Sequence, residues 1–233
     1  MTMTAQGLIC VSVASEDKHH ILSAVTPVLP LVDVVEIRLD GMRDPQCGQC
    51  IAALDKPVLA TNRPAWEGGQ WTGSEEERVN LLCAALRWGA RYVDVELATA
   101  SELQAQIIQE AHRHQAKVIV SSHDFDGTPD AAQLHATLQQ MMASGADIGK
   151  IVTTAVSAAE VLRVLALQQD ALAHDFPLCA FAMGRAGTIS RFATLFLGGF
   201  MTYAALSEAQ ATAPGQLTVD NLHRLLSLLD HRP

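Results

Sequence analysis

Apolar residues along this chain fall into two alternating patterns. The first is a short, mainly apolar run, at positions 8–13, 34–39, 58–61, 92–97, 117–121, 148–152, 178–183 and 200–206. Most of these runs place apolar residues at successive positions, so the predicted strands are read as covered on both faces, as in parallel sheets. The second is a longer stretch with apolar residues at helical spacing. It covers 16–29, a short piece through 50–54, a segment opening at Ser74, then 101–114, 130–144, 158–171, a segment from about 189, and 219–229. Ser74 followed by three glutamates is a strong helix start, with Val79, Leu82 and Leu86 along one face. Eight strand–helix units in 233 residues predict an α/β fold, a (β/α)8 TIM barrel, rather than an open sheet. No Pro-, Gly- or Ser-rich linker divides the chain, so a single domain over 1–233 is expected.

Composition narrows the function. A net charge of -9 argues against a nucleic-acid surface, because phosphate binding draws on clustered Lys and Arg. An anionic small substrate remains open, since it needs only a few arginines in a pocket. No apolar run reaches membrane-spanning length, and the first residues lack the order of a signal peptide. A cytoplasmic protein without membrane partners is expected. The cysteines number five, an odd set that suits reduced thiols. Cys47 and Cys50 form a CxxC with no second pair for zinc, and His112 and His114 lie at the polar end of a helix.

Candidate chemistry collects at the C-terminal ends of the predicted strands, where this fold places its active sites. Lys150 lies among Ile148, Ile151 and Val152. A lysine in such surroundings loses hydration of its ammonium, and a neutral amine is the nucleophile of imine chemistry. The alternative is a strand-end lysine that snorkels to water. Glu36, Arg38 and Asp40 share one face of strand two and need partners there, either one another or a ligand. Asp94 and Glu96 occupy alternate positions of strand four, and Arg63 and Glu67 follow strand three. His123 stands at the end of strand five, in place for a general acid–base role. After strand seven, backbone amides at a predicted helix start, with Arg191 one turn in, suit a carboxylate or phosphate. Thr212 through Gln216 reads as a covering loop. A lysine, a histidine, three arginines and at least two carboxylates point to Schiff-base chemistry on a small, hydroxylated, anionic carbonyl compound.

Six of these groups in order resemble type I 3-dehydroquinate dehydratase, the Schiff-base enzyme of the shikimate and quinate pathways. They are Glu36-x-Arg38-x-Asp40, Thr61-x-Arg63 with Glu67-Gly68-Gly69, Ser121-Ser122-His123-Asp124-Phe125, Lys150-Ile151, Gly187-x-x-Ser190-Arg191, and Ala213-Pro214-Gly215-Gln216. The resemblance covers essentially the whole chain. It implies an imine between Lys150 and the ketone of 3-dehydroquinate, with removal of the C2 proton and protonation of the departing C1 hydroxyl by His123. Glu67 would orient His123. Ser12, Glu36, Arg38, Arg63, Met183, Arg191, Thr212 and Gln216 would contact the substrate, Arg191 through its carboxylate and Gln216 as the lid. The resemblance also implies a homodimer, and no metal or cofactor.

The chain departs from the family pattern in places. Strand one starts near residue 8, so a hairpin closing the barrel bottom is expected to be missing. Phe181 stands where relatives carry methionine, and Thr212 where many carry serine. Two other readings share part of the signal: a class I aldolase acting on sugar or keto-acid phosphates, and a non-catalytic quinate-responsive sensor. Retention of both Lys150 and His123 weighs against the sensor.

Overall fold

The computed structural model describes residues 7–230. It is a barrel of eight parallel strands: β1 (Leu8–Ala14), β2 (Val34–Arg38), β3 (Val58–Thr61), β4 (Tyr92–Glu96), β5 (Lys117–His123), β6 (Ile148–Thr154), β7 (Leu178–Met183) and β8 (Met201–Ala205). Hydrogen-bonded neighbours run β7-β6-β5-β4-β3-β2-β1-β8. The helices are α1 (His19–Val25), α2 (Gly48–Ala52), α3 (Glu75–Arg87), α4 (Ser101–Arg113), α5 (Ala131–Ala143), α6 (Ala158–Ala173), α7 (Gly184–Ala193) and α8 (Val219–Asp230). The expected eightfold repeat and single barrel are therefore present.

Two apolar compartments hold it together. Outward strand residues such as Val11, Val35, Ile37, Ala60 and Val93 pack against the helices with Val79, Leu82, Leu86 and Ile107. Val120, Ile151 and Ala180 do the same with Leu138, Val164 and Leu167. Inward residues Cys10, Val34, Leu59, Ile119, Ile148 and Met201 fill the lower half of the barrel. The expectation of a missing hairpin falls on residues 1–6, which lie outside the described residues. Within them, Leu8, Tyr92 and Phe200 pack at the N-terminal end of the barrel interior, the two rings edge-on at 6.2 Å.

The helix predicted over 16–29 is shorter. α1 ends at Val25 and continues as a 3-10 segment, Thr26–Leu31, because Pro27 and Pro30 cannot donate the backbone bonds an α-helix needs. The helix predicted from about 189 begins instead at Gly184, directly after β7. The glycines that read as loop signals serve a close approach. A Cβ at Gly187 would lie 2.6 Å from the Ala182 carbonyl, so only glycine lets α7 pack this tightly on β7. Arg191 therefore extends from the last turn of α7, not from the first.

The same helix closes the seam between β7 and β8, which share no ladder. One backbone bond crosses it, from Phe200 N–H to the Leu178 carbonyl at 2.8 Å. Above that point α7 supplies the partners. Ala182 N–H donates to Ser190 Oγ at 2.8 Å, and the Thr202 hydroxyl donates to the Arg191 carbonyl at 2.7 Å. The spacing Gly187-x-x-Ser190-Arg191 thus has a physical cause: approach, seam, then a side chain into the barrel mouth.

Candidate active site

Above the apolar half, the barrel interior is charged and nearly dry. Arg63 leaves the end of β3 and is 4% exposed. Its guanidinium meets Asp94 Oδ2 at 2.8 Å, Glu96 Oε1, and Ser121 Oγ at 2.7 Å, with Glu67 Oε2 at 3.7 Å. Ser121 in turn donates to Asp94 Oδ1 at 2.6 Å. Burial opposes the charge on Asp94, yet Arg63 and Lys150 outweigh it and hold this carboxyl well below the usual range. Arg63 was expected to hold substrate hydroxyls; it lines the pocket, but these carboxylates occupy its donors.

Lys150, in mid-strand on β6, reaches across the barrel instead of snorkelling outward. Its Nζ donates to Asp94 Oδ2 at 3.0 Å and lies 4.2 Å from the centre of the Tyr203 ring. The acidic neighbour that the local sequence did not show comes from β4, two strands away. His123 ends β5, and its Nδ1 lies 2.8 Å from Glu67 Oε2. Glu67 gets there through a tight reversal: a Cβ at Gly69 would sit 2.0 Å from the Arg63 carbonyl. Burial disfavours charge on both partners. It pushes the Glu67 carboxyl up to about 8, and burial with the Arg63 and Lys150 charges lowers the His123 imidazole well below its ordinary value.

On the opposite wall, Glu36 accepts from Thr61 Oγ1 at 2.7 Å and from Ser12 Oγ. Arg38 forms a two-pronged bond with Asp40 at 2.8 and 2.7 Å, and Asp40 also accepts the backbone N–H groups of Arg63 and Gln70. The covering loop lies over the mouth. Thr212 Oγ1 is 3.1 Å from Ser12 Oγ and 3.2 Å from Gln216 Oε1.

Arg191 differs from every other arginine of the site. It is 2% exposed, its guanidinium lies 4.8 Å from the centre of the Phe181 ring, and one Nη donates to the Pro214 carbonyl at 3.2 Å. Its buried Nε has no partner, and no carboxylate faces it among the described residues. Burial alone lowers it to about 10. A buried cation without a counter-ion is costly, and an anionic ligand would supply what is missing.

Glu36, Arg38, Arg63, Glu67, His123, Lys150, Met183, Arg191, Thr212 and Gln216 line one pocket, and Ser12 stands just behind Glu36. Sequence reasoning placed Asp94 and Glu96 on one face and Ser121 in the His123 motif without giving them a role, and it missed Tyr203 and Arg78. The signal for Arg78 was present: it lies on the same face of α3 as Leu82 and Leu86, where a charge needs an explanation.

This constellation can form an imine, move a proton beside it, and hold an anion nearby. The chain is similar to known proteins over most of its length. A relative from Desulfotalea psychrophila, named 3-dehydroquinate dehydratase, is 40% identical over 94% of this chain and 96% of its own. In Arabidopsis thaliana, a bifunctional chloroplastic 3-dehydroquinate dehydratase/shikimate dehydrogenase is 37% identical over 93% of this chain and 36% of its own. Among solved structures, the Geobacillus kaustophilus 3-dehydroquinate dehydratase superimposes with a TM-score of 0.87 at 32% identity, covering 97% of this chain and 91% of that one. The type I enzyme from Clostridium difficile, solved with covalently modified comenic acid, has a TM-score of 0.87 at 27% identity, covering 97% and 93%. The family model for type I 3-dehydroquinase matches residues 9–233, and the chain belongs to that family.

Proposed function

We propose that this chain is a 3-dehydroquinate dehydratase that eliminates water through a Schiff base on Lys150. The observation that carries this reading is one pocket holding a buried Lys150, the Glu67–His123 pair and the uncompensated Arg191. Arg191 receives the substrate carboxylate. Glu36 and Arg38 face the ring hydroxyls, and the loop of Thr212 and Gln216 covers the ring while Met183 packs against it. Lys150 passes its ammonium proton to His123 and attacks the ketone, and that proton returns to the former ketone oxygen as it leaves as water, giving an iminium. That cation sits where the ammonium sat, beside Asp94 and over the Tyr203 ring, a placement that stabilises positive charge in a dry site.

The iminium acidifies the neighbouring C2–H bond. Glu67 holds the His123 ring through Nδ1, so that Nε2 is the free base. Nε2 takes the C2 proton, giving an enamine, and returns a proton to the C1 hydroxyl as it departs as water. Hydrolysis then releases 3-dehydroshikimate and restores Lys150. The shikimate or quinate pathway is the setting this reaction implies, and the fusion to a shikimate dehydrogenase in the Arabidopsis relative supports it.

Two further readings belong here. The five cysteines are all free thiols, which supports a cytoplasmic location, and no helix among the described residues is long and apolar enough to cross a membrane. A homodimer is supported by a groove along α6 that exposes Leu162 and Leu172 beside Leu197.

Four measurements test these statements. Borohydride reduction in the presence of 3-dehydroquinate gives a mass adduct on the Lys150 peptide, and Lys150→Ala abolishes both adduct and turnover; full activity in that variant would overturn the mechanism. Glu67→Gln lowers kcat about 10²-fold. Because the Glu67 carboxyl titrates near 8, the parent pair gains a proton and loses its free base as pH falls through that region. In Glu67→Gln the acid limb of kcat/KM moves to lower pH; an unmoved limb contradicts the pairing. Arg191→Met weakens binding of carboxylate ligands while stabilising the ligand-free fold by about 1–3 kcal/mol, read by denaturant unfolding, since it removes an unpaired buried charge; a less stable ligand-free variant would refute the account of Arg191. Sedimentation equilibrium gives twice the 25.0 kDa chain mass, and a monomer at micromolar concentration argues against the dimer.

A further inference from the structure

Arg78 is a fully buried charge that this chemistry does not touch. It projects from the first turns of α3, is 0% exposed, and does not line the pocket. Glu75 clamps it with two bonds of 2.8 Å, Thr99 Oγ1 accepts at 2.8 Å, and the Asn62 carbonyl accepts at 3.2 Å. Its remaining contact is with Glu96 Oε2. The other oxygen of Glu96 belongs to Arg63. One carboxylate is thus divided between two guanidiniums, and the inner one touches both arms of the catalytic apparatus. Through Asp94 it reaches Lys150, and through Glu67 it reaches His123.

We propose that Arg78 is a positioning residue for the reaction, acting through Glu96 to fix where Arg63 sits and how much of its charge reaches Glu67 and His123. The inference rests on the Schiff-base reading above. Its physical basis is a charge balance in a space closed to water. The charged and titratable groups around Glu96 and Glu67 are Arg38 from β2, Arg63 after β3, Asp94 from β4, His123 from β5, Lys150 from β6, and Arg78 with Glu75 from α3. Burial already pushes the Glu96 carboxyl up, and Arg63 and Arg78 are the cations that oppose it. Without Arg78, Glu96 takes up a proton and stops balancing Arg63. The Arg63 charge then falls on Glu67, 3.7 Å away, drawing that carboxylate from the imidazole and deepening the positive field at His123. Nothing in this chain of effects touches the substrate.

The test is the kinetics and pH profile of Arg78→Met beside Arg78→Lys, with unfolding followed in parallel. Arg78→Met is expected to lower kcat about tenfold or more, because small misplacements of a catalytic group are costly. KM stays within about twofold, as for an interaction felt only in the transition state. The acid limb of kcat/KM moves to lower pH, and Arg78→Lys recovers it in part. A double-mutant cycle adds the route: in a Glu96→Gln background, Arg78→Met shifts the limb no further. If Arg78→Met does not fold, the charge-balanced pair Arg78→Met/Glu96→Gln carries the same reading, and its limb lies below that of the parent. A parent-like pH profile and kcat in folded variants, with stability alone reduced, overturns the proposal. Borohydride trapping on each variant separates the two ideas. An intact Lys150 adduct with an unmoved limb refutes only the role of Arg78, whereas a parent protein that forms no adduct refutes the imine reading itself.

Discussion

The structure depends on how charge is balanced inside a closed barrel. Its upper interior carries Asp94, Glu96, Glu67, Arg63 and Lys150 at a depth where water does not neutralise them. Taking such groups out of water costs several kcal/mol each, and mutual attraction offsets this only when geometry and hydrogen bonding are nearly complete. Arg63 meets that demand. It joins Asp94, Glu96 and Ser121 at short range, and every one of those partners is itself held by a second neighbour. The consequence is mechanical as well as electrostatic. The ends of β3, β4 and β5 are tied to one guanidinium, so Lys150 and His123 are positioned from a common anchor.

The barrel therefore divides by height. Below, Cys10, Val34, Leu59, Ile119 and Ile148 make an ordinary apolar fill that supplies stability. Above, Arg63, Asp94, Lys150, Glu67 and His123 already have partners before any ligand arrives, which is the arrangement that lets fixed charges act on a reaction without first reorganising. α7 links the two levels. Gly187 and Ser190, which hold α7 on β7, also set where Arg191 lies, so a change at the seam disturbs the placement of Arg191.

Much of this was legible in the sequence. Eight mainly apolar runs marked the strands, and apolar residues at successive positions in most of them pointed to a parallel sheet covered outside. Glu36, His123 and Lys150 were readable because charged or titratable residues on these strands face one barrel mouth, whereas Arg191 was read as part of a helix start although it extends from the last turn of α7. What stayed hidden has physical causes. The partner of Lys150 is Asp94, on a strand two places away, and such pairings depend on barrel stagger, which no local pattern records. Gly184 and Gly187 looked like loop because close approach and flexibility share the same residue. Pro27 and Pro30 fit a helical apolar pattern, yet they convert its end to a 3-10 segment. Arg78 sat in plain view on an apolar helix face, where its meaning required knowing that Glu96 lay beneath it.

The resemblance assigned Arg38, Arg63 and Arg191 a common task of holding substrate, and the geometry separates them. Arg63 is saturated by buried carboxylates, so a neutral hydroxyl competes poorly for its donors. Arg38 is satisfied on one edge by Asp40, while Glu36 is engaged by Ser12 and Thr61. These groups can exchange one polar partner for another at little net cost, which suits recognition of hydroxyls. Arg191 alone stands without an opposite charge. Among the arginines lining the pocket, a single uncompensated one leaves a place for a negative group. On the proposed reading, selectivity for an anionic, hydroxylated ring follows from which donors are already spent, more than from how many arginines line the wall.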